Sequence, residues 1–238
     1  MTMRSVLLAV ALLLAALPTL AVETSAVLHP YVAEYELLRA GKPEGRVSIR
    51  LEADGPGHWQ MRSHTRGTHG LAALAGIDIV ETSEFSATAA GVACGQYRYR
   101  QTGLRTRERS IDCGTGADGI TSRDHRGQYH FPAQAGVVDR QIASIALALK
   151  LAAGQRGKLV LPVADRERLE SQRYRARGEE TLDLPAGQLR TLKLERLHDS
   201  DDRKTSTWFA MDQDWVPARI LHTGTSGGYE LRLISLQR

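Results

Sequence analysis

Arg46-Val47-Ser48-Ile49-Arg50-Leu51 decides the fold. Apolar and polar side chains alternate strictly through it, the period of a strand with one face turned from water. The residues before it read the same way, with Tyr31, Ala33, Tyr35 and Leu37 in one parity against Val32, Glu34 and Glu36. Ala40-Gly41-Lys42-Pro43-Glu44-Gly45 joins the two runs as a hairpin-like turn, and Asp54-Gly55-Pro56-Gly57 turns the chain again before Trp59 and Met61.

Similar short segments follow at 77–87, 96–101, 105–112, 120–124 and 158–163, then at 170–177, 189–197, 205–211, 218–223 and 229–234. Many short strands at near-regular spacing predict a mostly β protein, an antiparallel curved sheet or open β-barrel. The main exception is 139–152, where Ile142, Ile145, Ala146 and Leu149 recur at helical spacing, Asp139 is placed to cap and Gly154 to stop. That segment predicts one main α-helix packed against the sheet, with a further helical turn over 71–74.

Ahead of the strands, residues 1–21 carry Arg4, a Leu/Ala-rich run from Val6 to Leu17, Pro18 and the small-residue ending Thr19-Leu20-Ala21. This is the layout of a secretory signal, helical in its apolar part, and predicts cleavage after Ala21 and a periplasmic product. An uncut leader, with Val6 to Val22 as a short anchor, is the alternative; after cleavage no stable membrane span is expected. Residues 22–238 read as a single exported domain. The whole chain has a net charge of +4, with 42% hydrophobic and 24% charged residues, an ordinary globular composition. The basic residues are interleaved with Asp and Glu, which argues against a nucleic-acid track.

Cys94 and Cys113 form the one cysteine pair, and an oxidising compartment invites a disulfide between them. A two-residue turn at Gly103-Leu104 sets them directly opposite, but also opposes Arg98 to Arg109 and Arg100 to Arg107. A three-residue loop at 102–104 sets Arg98 against Glu108 instead and moves the cysteines out of opposition. Arg98, Arg100, Arg105, Arg107 and Arg109 recur at period two on the two strands of this hairpin, making them candidate contacts for anionic groups such as lipid headgroups. The alternative is a solvated face balanced by Glu108 and Asp112.

Other motifs lack their required context. Gly114-Thr115-Gly116-Ala117-Asp118-Gly119 spells a dinucleotide fingerprint but runs into a strand where a helix is needed. Gly224-Thr225-Ser226-Gly227-Gly228 spells a nucleophile elbow, yet a strand follows and no His lies after Ser226. His64 and His69, like His125 and His130, stand five apart, a poor spacing for metal ligands on either regular element. No catalytic, metal or cofactor site is therefore expected.

Tyr31-Val32-Ala33-Glu34-Tyr35 with Gly45, Tyr97-Arg98-Tyr99-Arg100 before Ile111-Asp112, and Val138-Asp139-Arg140 occur in an order that resembles a bacterial exported family, domain of unknown function 3108. Gly178-Glu179-Glu180, Pro185-Ala186-Gly187 and Trp215-Val216-Pro217-Ala218-Arg219-Ile220 extend the resemblance to nearly the whole mature chain. It implies an exported, mostly antiparallel β protein with no assigned reaction. In architecture alone the pattern is also similar to the half-barrels of lipoprotein carriers. The expectation is a non-catalytic protein binding an apolar or lipid-like ligand or an envelope protein. A periplasmic hydrolase on a cell-wall or sugar substrate and a purely structural envelope module are the alternatives.

Overall fold

The computed structural model describes residues 28–88, 91–114, 119–225 and 227–238. The predicted signal segment lies outside them. Among the described residues fifteen strands form one sheet. In chain order they are β1 (Tyr31–Arg39), β2 (Lys42–Ala53), β3 (His58–Gly67), β4 (Asp78–Thr88), β5 (Gly91–Thr102), β6 (Arg107–Cys113), β7 (Ile120–Asp124), β8 (Gly127–Phe131) and β9 (Val138–Asp139). The remainder are β10 (Lys158–Asp165), β11 (Arg168–Leu184), β12 (Gly187–Leu197), β13 (Arg203–Ala210), β14 (Pro217–Gly224) and β15 (Tyr229–Gln237). Two helices interrupt them, α1 (Gly70–Leu74) and α2 (Ala143–Ala152).

The spatial order is β8-β7-β6-β5-β4-β3-β2-β1-β15-β14-β13-β12-β11-β10-β9. Two meanders are thus joined in the middle by the β1–β15 pair. Every pairing is antiparallel except β9 with β10. The edge strands β8 and β9 are consecutive in the chain and linked only by residues 132–137. A link that short reaches no more than about 25 Å, so the sheet must curl until its ends approach. Cys94 N–H on β5 donates to the Val137 carbonyl just before β9 at 2.8 Å, tying the curl together. The result is an open, unclosed barrel.

Side-chain alternation sets which face turns inward. Tyr31, Ala33 and Tyr35 on β1, Val47 and Leu51 on β2, Met61 on β3, Phe85 on β4, Tyr97 on β5 and Ile111 on β6 are buried on the concave side. α2 lies against them and is apolar on nearly all sides, with Ala143, Ile145, Ala146, Leu147, Ala148 and Leu151 buried. It begins at Ala143, not at Asp139. Asp139 is engaged in the β9–β10 ladder opposite Ala164, so the chain cannot be helical there. Its carboxylate nevertheless accepts the N–H groups of Gln141 and Ile142 in the turn that leads into the helix.

The β5–β6 hairpin takes neither register expected from the sequence. Tyr99 pairs with Arg109, Arg100 with Glu108 and Gln101 with Arg107, leaving residues 102–106 as a wider loop. Two contacts explain this. A β-carbon on Gly103 would lie 2.6 Å from the Ala75 carbonyl oxygen, so the loop is clamped to the turn after α1. The register also replaces an Arg–Arg opposition with an Arg100–Glu108 ion pair at 3.8 Å. Cys94 and Cys113 are joined by a disulfide with Cα atoms 5.7 Å apart. Gly95 is the extra residue of a β-bulge against β4, and this one-residue offset brings Cys94 across from Cys113.

Candidate functional site

The structure divides the arginine series between two faces. Residues directly paired across a ladder share a face, so Arg107 and Arg109 lie inward with Gln101 and Tyr99, while Arg98 and Arg100 lie outward with Ser110 and Glu108. Arg105 is in the loop, not on a strand. The five therefore do not form one basic strip. Arg98 and Arg123 both bond Asp112, at 3.0 and 2.9 Å, which is the balanced outer surface that the alternative reading expects.

Inside, the β9–α2 turn plants three consecutive side chains on the concave face. Asp139 Oδ1 accepts the Ser83 hydroxyl at 3.0 Å, Arg140 pairs with Glu81 at 3.2 Å, and Gln141 Nε2 donates to the Met61 carbonyl. The Tyr97 hydroxyl donates to Glu81 at 2.5 Å. Burial works against the Arg140 charge, but Glu81, Tyr97, Asp165 and Tyr229 outweigh it and raise its pKa. Tyr229 belongs to β15, so these groups act on one another across the concavity. Next to them the Arg109 guanidinium stacks 4.6 Å over the Tyr99 ring. Tyr97 and Arg140 are part of motif pieces visible in the sequence, but that Glu81 joins them depends on how β4 and β9 meet in space.

At the other flank of α2 a groove of about 350 Å³ opens to solvent. Leu28, Tyr31, Ile145, Leu149, Met211 and Trp215 supply its apolar lining. Asp214 on its rim accepts from His29 at 3.0 Å and is bonded by Arg238. Asp214 and Trp215 hold φ values of 49° and 58°, a left-handed conformation uncommon for any residue but glycine and more so for an indole. The Arg156 guanidinium covers the Trp215 ring at 4.7 Å. Tyr31 and Trp215-Val216-Pro217 belong to motif pieces visible in the sequence, but none of these announces a groove, because its lining is assembled from residues 28–31, α2 and the 211–217 segment.

The remaining candidates that fall within the described residues have structural roles. Gly114 N–H donates to the Gly119 carbonyl in the turn before β7, and residues 115–118 between them lie outside the described residues. Ser226 likewise lies outside them. His64 bonds Asp78 at 2.8 Å, and His130 bonds Thr121 and Gln128. Among the described residues no three His, Cys, Asp or Glu side chains are grouped to hold a metal ion, and no helix is long and apolar enough to cross a membrane.

The sequence profile for proteins of unknown function DUF3108 matches residues 30–233, the whole body of the sheet. The chain belongs to that family. No curated protein matches it. Among solved structures it is similar to a β-barrel-like protein of domain of unknown function DUF1849 from Brucella abortus. The identity is 11%, the TM-score 0.54, and the match covers 87% of this chain and 97% of that one. A candidate lipoprotein from Parabacteroides distasonis aligns at 9% identity and a TM-score of 0.33, over 88% of this chain and 96% of that one. Only the first supports a statement about fold, and it agrees with the open barrel that DUF3108 adopts here.

Proposed function

We propose that this chain is an exported, non-catalytic binding protein that holds an apolar or lipid-like ligand in the groove beside α2. The observation that carries the reading is the groove wall, where two successive residues accept left-handed backbone to set Trp215 beside Leu149 and Met211. Strain of this kind persists only where surrounding structure enforces it, and it concentrates at ligand sites. An apolar lining with a polar rim, about 350 Å³ in volume, also has the character of a small-molecule site. The signal-like leader and the disulfide support export. The hydrolase reading needs two buried, unpaired carboxylates in one cleft; Asp139 keeps one unbonded oxygen, but Glu81 is committed to Arg140 and Tyr97.

The test is quenching of tryptophan fluorescence by a brominated long-chain acyl ligand, with native mass spectrometry of protein taken from the bacterial envelope. Saturable quenching that disappears in Trp215→Phe is expected, since Trp59 and Trp208 do not line the groove. Unchanged fluorescence together with a ligand-free mass overturns the proposal.

A further inference from the structure

We propose that Arg109, Arg140 and Arg166 form an oxyanion-binding site on the concave face of the sheet, separate from the apolar groove. Arg109 is delivered to this face by its pairing with Tyr99, and the ring beneath fixes its guanidinium plane. Among the described residues no carboxylate forms an ion pair with it, and its Nε–H is buried without an acceptor. A buried donor lacking an acceptor is unfavourable, so an oxygen ligand arriving there is favoured.

The cations around it share no acid with it. Arg140 is held toward the concavity by Glu81, with 39% of its side chain still accessible. Arg166 sits in the β10–β11 turn, which is drawn to the β7–β8 turn by an Arg126–Glu167 ion pair at 3.5 Å. It keeps a left-handed φ of 52°, where glycine is the ordinary choice. Burial depresses the Arg109 pKa first, and repulsion from Arg166 and Arg140 adds to it, while Tyr99 opposes. Glu81 and Asp165 stand near Arg140, so the cluster as a whole carries a modest positive excess suited to one acid group. Guanidinium forks match carboxylate and phosphate oxygens, and stacking on an aromatic face preorganises them. The acid can arrive as a free anion or as the head of an amphiphile; both present the same oxygens.

Calorimetric titration of the full chain with inorganic phosphate, acetate and decyl phosphate decides the matter. At least one probe is expected to bind saturably, and Arg109→Gln and Arg166→Gln are each expected to weaken it tenfold or more. Arg98→Gln, on the outer face and paired with Asp112, is expected to leave it unchanged. Binding of decyl phosphate alone identifies an amphiphile head; binding of phosphate or acetate as well shows that a free anion suffices. Arg166 is in an exposed turn, so its variant reports even if Arg109→Gln fails to fold. Absence of binding by all three probes, equal affinity in Arg166→Gln and wild type, or equal weakening by Arg98→Gln overturns the site. None of these results bears on Trp215 quenching in the groove.

Discussion

Asp139 is 0% exposed and carries an unequal load: Oδ1 accepts from Ser83 and two backbone N–H groups, and Oδ2 has no partner. Burial pushes its pKa up to about 6, against the pull of Ile142, Gln141 and Ser83. In the unfolded chain the same carboxyl titrates near about 4. The folded state therefore holds the proton more tightly. Its stabilising contribution is complete below about pH 4 and is lost as pH rises through about 6, with a ceiling of roughly 3 kcal/mol. Asp139→Asn retains the acceptor and abolishes the titration. Urea midpoints measured from pH 4 to 8 should fall for wild type relative to this variant across that window, and parallel curves refute the assignment. The sequence singles out Asp139 as the residue that starts the helix. Its acceptor role is legible there, but its place in a parallel strand pair is not, because that depends on Ala164 in β10, 25 residues further on.

The β5–β6 hairpin shows why registers are harder to read than strands. Alternation along 96–101 and 105–112 identifies both strands without any knowledge of their partners, although the second begins only at Arg107. The faces of the arginines require the register, and that is fixed by the clamp of Gly103 on the α1 turn and the bulge at Gly95, two contacts with no local signature. The cysteines reach opposition by this bulge, not by the tight turn that first suggests it. Their sequence separation of 19 closes a loop whose cross-link is worth ~3 kcal/mol in the chain-entropy account. Cys94→Ser/Cys113→Ser is expected to lose about that much in chemical denaturation, and wild type treated with reductant should fall to the same midpoint. If reduction leaves the midpoint in place, the disulfide is not a staple of this fold.

At the scale of the molecule, a curled sheet with an apolar concave face has to cover that face, and α2 does so with side chains buried all around its circumference. The open barrel is legible from alternation and turn spacing; what the helix leaves uncovered is not, since it depends on which side of α2 meets the sheet. Leu151 and Leu149, two residues apart, separate the two jobs. Leu151 is 0% exposed against the sheet, so Leu151→Ala leaves a cavity and should cost ~2–5 kcal/mol. Below its melting transition this variant should still quench with the brominated acyl ligand, because Leu151 is not part of the groove lining. Leu149 is half-buried and lines the groove, so a glutamate there keeps its carboxylate wet in the empty protein at little cost to stability. An acyl chain entering beside that carboxylate must strip its water, so Leu149→Glu should abolish quenching while the urea midpoint barely moves. The opposite outcome, with Leu151→Ala losing the ligand and Leu149→Glu keeping it, places any apolar ligand between α2 and the sheet and makes the helix a displaceable plug.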